Sequence, residues 1–110
     1  MPTTTLSLPA RSPEELAPEF HRLAAEWREL SAHLSNSMQM AMLPSYQRII
    51  GMGPGVVGLI LADLERKPDF WFWALEHLTG EDPIPADARG RVRLMAAAWV
   101  RWGYERGLLA

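Results

Sequence analysis

Leu16, Phe20, Leu23, Trp27, Leu30 and Leu34 recur at alternating steps of four and three along the first third of the chain. That spacing predicts a long amphipathic helix with one apolar stripe opposite a glutamate-rich face. Ser12 followed by Glu15 matches a capping box, and Pro13 suits the first helical position. Pro18 lies close enough to the start to be tolerated. Ser35-Asn36-Ser37 ends the helix, and Met38, Met40 and Met42 then alternate with small or polar residues, as in an extended linker. Pro44 opens a short helix through Tyr46, Ile49 and Ile50 that Gly51 and Gly53 break. Pro54 begins another through Val57, Leu61 and Leu64 to Lys67, and Pro68 stops it by pushing its predecessor out of helical space.

The stretch from Pro68 to Pro85 carries four consecutive aromatics, Phe70 to Trp73. Asp69 favours a helix N-terminus at their start, and Gly80 is placed for a left-handed cap at their end. Successive helical residues are about 100° apart, so four in a row point all around the axis. Such a helix is either buried on every side or keeps one face for a partner. Trp71 and Leu75 are expected to face inward, which leaves Phe72, Trp73 and Glu76 for the partner. A last helix is expected from Pro85 or Ala86. It would turn Ala88, Val92, Met95, Ala96 and Trp99 inward with Trp102 beside them, while Gly103 and Gly107 loosen its end.

No segment combines period-two alternation with hairpin turns, so the expected fold is all-α. Residues 48 to 79 have the grammar of a HEAT-like helix-turn-helix, which cannot bury both faces alone and needs neighbours. The first and last helices would supply them. Together they give a small helical bundle at residues 12–110, with residues 1–11 as a flexible tail.

A chain of 110 residues buries about two-thirds of its unfolded surface, enough for one ordinary core. The absence of cysteine removes disulfides, thiolate nucleophiles and Cys-based zinc sites. Net charge −2 argues against a general nucleic-acid binder. Acidic residues gather near the start and arginines near the end, consistent with two helices bearing complementary rims. The start carries no signal-peptide pattern, and the apolar run Val56 to Ala62 is too short to span a bilayer. A cytoplasmic location without membrane contact is the expectation.

Candidate chemistry is sparse. Gly53-Pro54-Gly55-Val56-Val57-Gly58 matches GxGxxG, but no buried strand precedes it and Pro54 removes an amide, so it reads as a tight turn between helices. Glu76, His77, Glu81 and Asp82 form one acidic-plus-imidazole group without a second histidine one helical turn away. No catalytic residue, metal or cofactor is assigned. A small enzyme using His77 with Glu76 or Asp82 remains an alternative. So does a nucleic-acid-associated regulator using Arg89, Arg91, Arg93 and Arg101, although those arginines alternate around the helix and form no single stripe. Tryptophan and arginine often dominate protein interfaces. Phe72, Trp73, Glu76, Arg101 and Trp102 are therefore the candidate partner-binding residues, and the alternative is one internal aromatic core of Trp27, Trp71, Trp99 and Trp102. The apolar stripe of the first helix also allows self-association.

From Tyr46 to Gly107 the chain resembles a family of small bacterial proteins without an assigned activity. The resemblance rests on Tyr-Gln-Arg-Ile-Ile-Gly-Met-Gly at 46–53 and on the run from Pro68 to Pro85. It closes with Arg89-Gly90, Met95 and Trp99-Val-Arg-Trp-Gly-Tyr104. It departs at Gly58, where the family pattern has a proline after the paired aliphatics. The resemblance implies a gene encoded beside a second small gene, in the manner of antitoxin or defence pairs. The resulting expectation is a non-enzymatic protein-interaction module, antitoxin-like or accessory to defence or mobile elements, that binds a neighbouring gene product.

Overall fold

A computed structural model describes residues 11–110 and is all-α, with no strand among the described residues. The expected tail at residues 1–11 lies outside the described residues except for Arg11, whose guanidinium donates to the Glu15 carbonyl.

Helix α1 spans Pro13–Ser31. The Ser12 hydroxyl accepts from the Glu15 amide at 3.3 Å and donates to the Glu15 carboxylate at 3.2 Å, satisfying an N–H group that the first helical turn leaves unpaired. Leu16, Phe20, Leu23 and Trp27 are buried, as their spacing requires. The stripe stops there. Leu30 is 51% exposed, and the helix ends before Leu34, whose amide donates to the Ser31 carbonyl in the turn that follows.

The methionine segment is not extended. Asn36 caps α2 (Ser37–Ala41), its side-chain oxygen accepting from the amides of Met38 and Gln39 at 2.8 and 3.2 Å. In this single turn Met40 faces inward while Met38 and Met42 face outward. The Trp27 indole N–H donates to the Met40 carbonyl at 2.9 Å and ties α2 to the end of α1.

Pro44 opens α3 (Pro44–Gly51), which packs along α1. A 3-10 turn at Pro54–Val56 leads into α4 (Val57–Arg66). Gly55 lets this turn press against the start of α1, since a Cβ there would lie 2.5 Å from the Arg11 carbonyl oxygen. The dinucleotide-like glycine pattern therefore serves chain crossing.

Helix α5 covers Phe72–Thr79 and ends at Gly80 with φ 70°, the left-handed cap expected of it. Its start corrects the sequence reading. Phe70 and Trp71 precede the helix, so the four aromatics do not wind around one axis. Trp71 turns inward to complete a ring cluster, 4.5 Å from Trp27, 5.5 Å from Tyr46 and 5.8 Å from Phe20 between centroids.

Helix α6 (Val92–Glu105) begins later than Pro85 or Ala86. Residues Ala86–Ala88 form a separate 3-10 turn, and Gly90 with φ 84° reverses the chain before the helix starts. Helix α6 packs mainly on α4. Gly103 is buried at that contact, where a Cβ would come within 2.9 Å of the Leu61 side chain. The end of α6 is well closed. The Leu108 amide donates to the Gly103 carbonyl at 2.8 Å and the Gly107 amide to the Tyr104 carbonyl at 3.2 Å, around Gly107 at φ 71°. Trp99 and Trp102 form their own edge-to-face pair, 5.2 Å between centroids, and neither stacks with Trp27. No single helix among the described residues is long and apolar enough to cross a membrane.

Candidate docking surface

The position of α5 is fixed by two polar anchors from other helices. Tyr46 on α3 places its hydroxyl under the first turn of α5, where it accepts from the Ala74 amide at 2.9 Å and donates to the Phe70 carbonyl at 3.0 Å. The N-terminal amides of a helix lack partners within it, so this distant hydroxyl does the work of a cap. Burial pushes the Tyr46 pKa well above its ordinary value, the nearby Asp69 charge adds to the rise, and the Ala74 hydrogen bond opposes it.

The second anchor is Asp63 on α4, only 3% exposed. It accepts from the Trp71 indole at 2.8 Å and from Arg66 at 2.9 Å, and it pairs with Arg28 of α1. Arg28 also reaches Asp69 at 3.3 Å, and the Asp69 carboxylate accepts from the Phe70 amide at 2.9 Å. A buried carboxylate is tolerated when its oxygens are saturated this way. Helices α1 and α4 and the segment entering α5 are thereby joined at one point.

With Trp71 held inward, the next residues line an open groove of about 320 Å³ between α2, α5 and the start of α6. Phe72 and Met95 form part of its lining, and Met38 and Trp73 stand exposed beside it at 58% and 42%. Glu76 is the carboxylate lining it. Of the residues expected to face a partner, Trp73 and Glu76 are exposed, whereas Phe72 is buried, with 9% of its surface exposed.

The other two candidates lie elsewhere. Arg101 and Trp102 line a separate hollow of about 500 Å³ with Pro83, Pro85 and Leu94. The expected aromatic-plus-arginine surface is therefore divided between two hollows that share no lining residue. Arg101 pairs with Glu105 at 3.1 Å, and Arg106 lies over the Trp102 ring at 5.2 Å. The indole nitrogens of Trp99 and Trp102 are buried without an acceptor among the described residues.

Glu76, His77, Glu81 and Asp82 do gather, with Trp73, around a shallow third hollow. Glu81 is engaged by Arg106 at 3.0 Å and Asp82 by Arg89, while Glu76 forms no ion pair among the described residues. His77 makes no hydrogen bond to a carboxylate among the described residues, and its ring lies 6.4 Å from that of Trp73. No three His, Asp or Glu side chains among the described residues converge on a metal position. Of the arginines proposed for nucleic acid, Arg89 and Arg101 are held in ion pairs, while Arg91 and Arg93 make none among the described residues.

Sequence reasoning missed Met38, Met95, Asp63 and Arg28 as contributors. An aspartate within the otherwise apolar stretch Val57 to Leu64 was the visible signal for a buried anchor. Met38 carried none, because its exposure depends on the cap at Asn36. No protein-family model, curated protein or solved structure matches the chain.

Proposed function

We propose that this protein is a non-enzymatic interaction module that docks a protein partner in the groove between α2, α5 and α6. One observation supports the reading above the others. Two large apolar side chains, Met38 and Trp73, are exposed at 58% and 42% on either side of a concave apolar surface. A lone exposed apolar residue is ordinary, but an apolar concavity flanked by two is what a buried anchor from a partner fills. Methionine adapts its shape to such an anchor and tryptophan supplies rigid contact area. The ion pair of Asp82 with Arg89 occupies one of the two carboxylates that an acid–base role at His77 would use.

The family resemblance carries the reading one step further, to an antitoxin-like or defence-associated role with a partner encoded beside this chain's gene. The HEAT-like character of the α4–α5 pair belongs to the same proposal. Mixing the two proteins at about 10 µM and resolving them by size exclusion tests it, because a specific interface of standard size is stable at that concentration. A single earlier-eluting peak is expected. Two unshifted peaks would remove the specific-partner version.

A further inference from the structure

We infer that the partner segment received by this groove carries a lysine or arginine beside an apolar anchor, the cation lying against Trp73 and paired with Glu76. The inference rests on the docking role proposed for the same groove. Trp73 and Glu76 are three apart on α5 and so share a face one turn apart. Both line the apolar groove and both line the neighbouring acidic hollow, so the two depressions adjoin at these residues. Glu81 and Asp82 in that hollow are each neutralised by an arginine of this chain. Glu76 forms no ion pair among the described residues and stays exposed. The junction therefore offers a carboxylate without an ion pair among the described residues beside an exposed indole, with the apolar Phe72 and Met95 lining the groove next to it.

A cation is attracted to the indole by the ring quadrupole and to the carboxylate by its charge, and the alkyl stem of lysine or arginine covers apolar surface on the way. An anionic segment would meet Glu76 uncompensated. A purely apolar segment would cover the carboxylate and strip its water without replacement, which is unfavourable. The chemistry that satisfies every lining group is thus an apolar side chain followed by a basic one.

The test uses small probes on the whole protein. Hexylguanidinium combines an apolar tail with a planar cation, hexanol keeps the tail alone, and hexanesulfonate reverses the charge. Titrations are followed by the ¹³C-methyl shifts of Met38 and Met95, comparing the parent chain with Glu76→Gln, whose exposed position leaves folding intact. Hexylguanidinium is expected to shift both methyls with a dissociation constant of about 1–10 mM, the range open to a ligand of this size. Glu76→Gln should weaken it by about threefold to fivefold, the scale of an exposed ion pair, and leave hexanol unchanged. Hexanesulfonate should bind more weakly than either. Equal affinity for hexylguanidinium and hexanol in both proteins would overturn the cation while leaving the docking groove intact. Failure of all three probes to move either methyl would overturn the groove reading itself.

Discussion

The hydroxyl of Tyr46 lies 2.9 Å from the amide of Ala74, and through that contact α3 caps a helix 28 residues further along the chain. Both groups are buried, so removing the oxygen leaves the Ala74 N–H unpaired away from water and takes the hydroxyl donor from the half-buried Phe70 carbonyl. Tyr46→Phe is expected to lower unfolding free energy by about 1–3 kcal/mol in urea titrations. A loss below the error of the measurement would show that the cap contributes nothing.

Burial of the same hydroxyl sets an alkaline limit. The folded-state pKa of Tyr46 is raised, so the folded chain holds this proton where the unfolded chain, at about 10, releases it. The stabilisation is complete below pH 10 and is lost as pH rises towards the folded pKa, by at most about 1.4 kcal/mol per unit. Unfolding midpoints measured from pH 9 to 12 should fall less steeply for Tyr46→Phe than for the parent. The exposed Tyr104, whose hydrogen bond to Glu65 also raises its pKa, remains in both proteins and cancels in the comparison.

At Asp63 the two oxygens serve Trp71, Arg66 and Arg28 together. Asp63→Ala is expected to destabilise by about 2–4 kcal/mol, since it leaves a buried indole N–H unpaired and Arg28 with Asp69 as its remaining carboxylate. Asp63→Asn keeps an acceptor for Trp71 and should lose less. Equal losses from the two substitutions would show that the oxygen accepting from Trp71 contributes nothing.

Much of the helical frame was legible, because Ser12, Pro13, Pro44, Pro54, Pro68 and Gly80 are local signals that act through their own backbone. The misplaced boundaries have non-local causes. The start of α5 is set where the Tyr46 hydroxyl meets the Ala74 amide, which no window around Phe70 to Trp73 contains. The start of α6 follows the reversal at Gly90, which the regular spacing of Ala88, Val92, Met95, Ala96 and Trp99 conceals. For the groove, the exposure of Trp73 and Glu76 was legible from helical spacing, whereas Phe72, expected outward, is buried. Met38 and Met95 arrive from other helices, and Arg101 with Trp102 proved to line a different hollow.

Two glycines separate backbone crowding from conformational freedom. Gly55→Ala drives a Cβ to 2.5 Å from a backbone oxygen and should destabilise by about 1–3 kcal/mol. Gly51→Ala meets nothing within 4 Å at the end of α3 and should stabilise by about 0.5–1 kcal/mol. Thermal melts of the two variants, displaced in opposite directions, would confirm the close crossing of α1 and the turn before α4.

Indole exposure is equally testable. Trp27, Trp71 and Trp99 are buried and Trp102 is half-buried, which leaves Trp73 as the accessible ring. Acrylamide quenching of Trp73→Phe should lose most of the readily quenched fluorescence of the parent. An unchanged quenching curve would mean that another tryptophan faces solvent.

The docking account is tested most directly by calorimetric titration of the neighbouring gene's product into the parent chain and into a Met38→Ala/Trp73→Ala variant of unchanged thermal midpoint. The account predicts micromolar or tighter binding to the parent, weakened at least about tenfold in the variant, as expected when two central anchors are truncated. Equal affinity for both proteins, or no heat of binding with either, would contradict it.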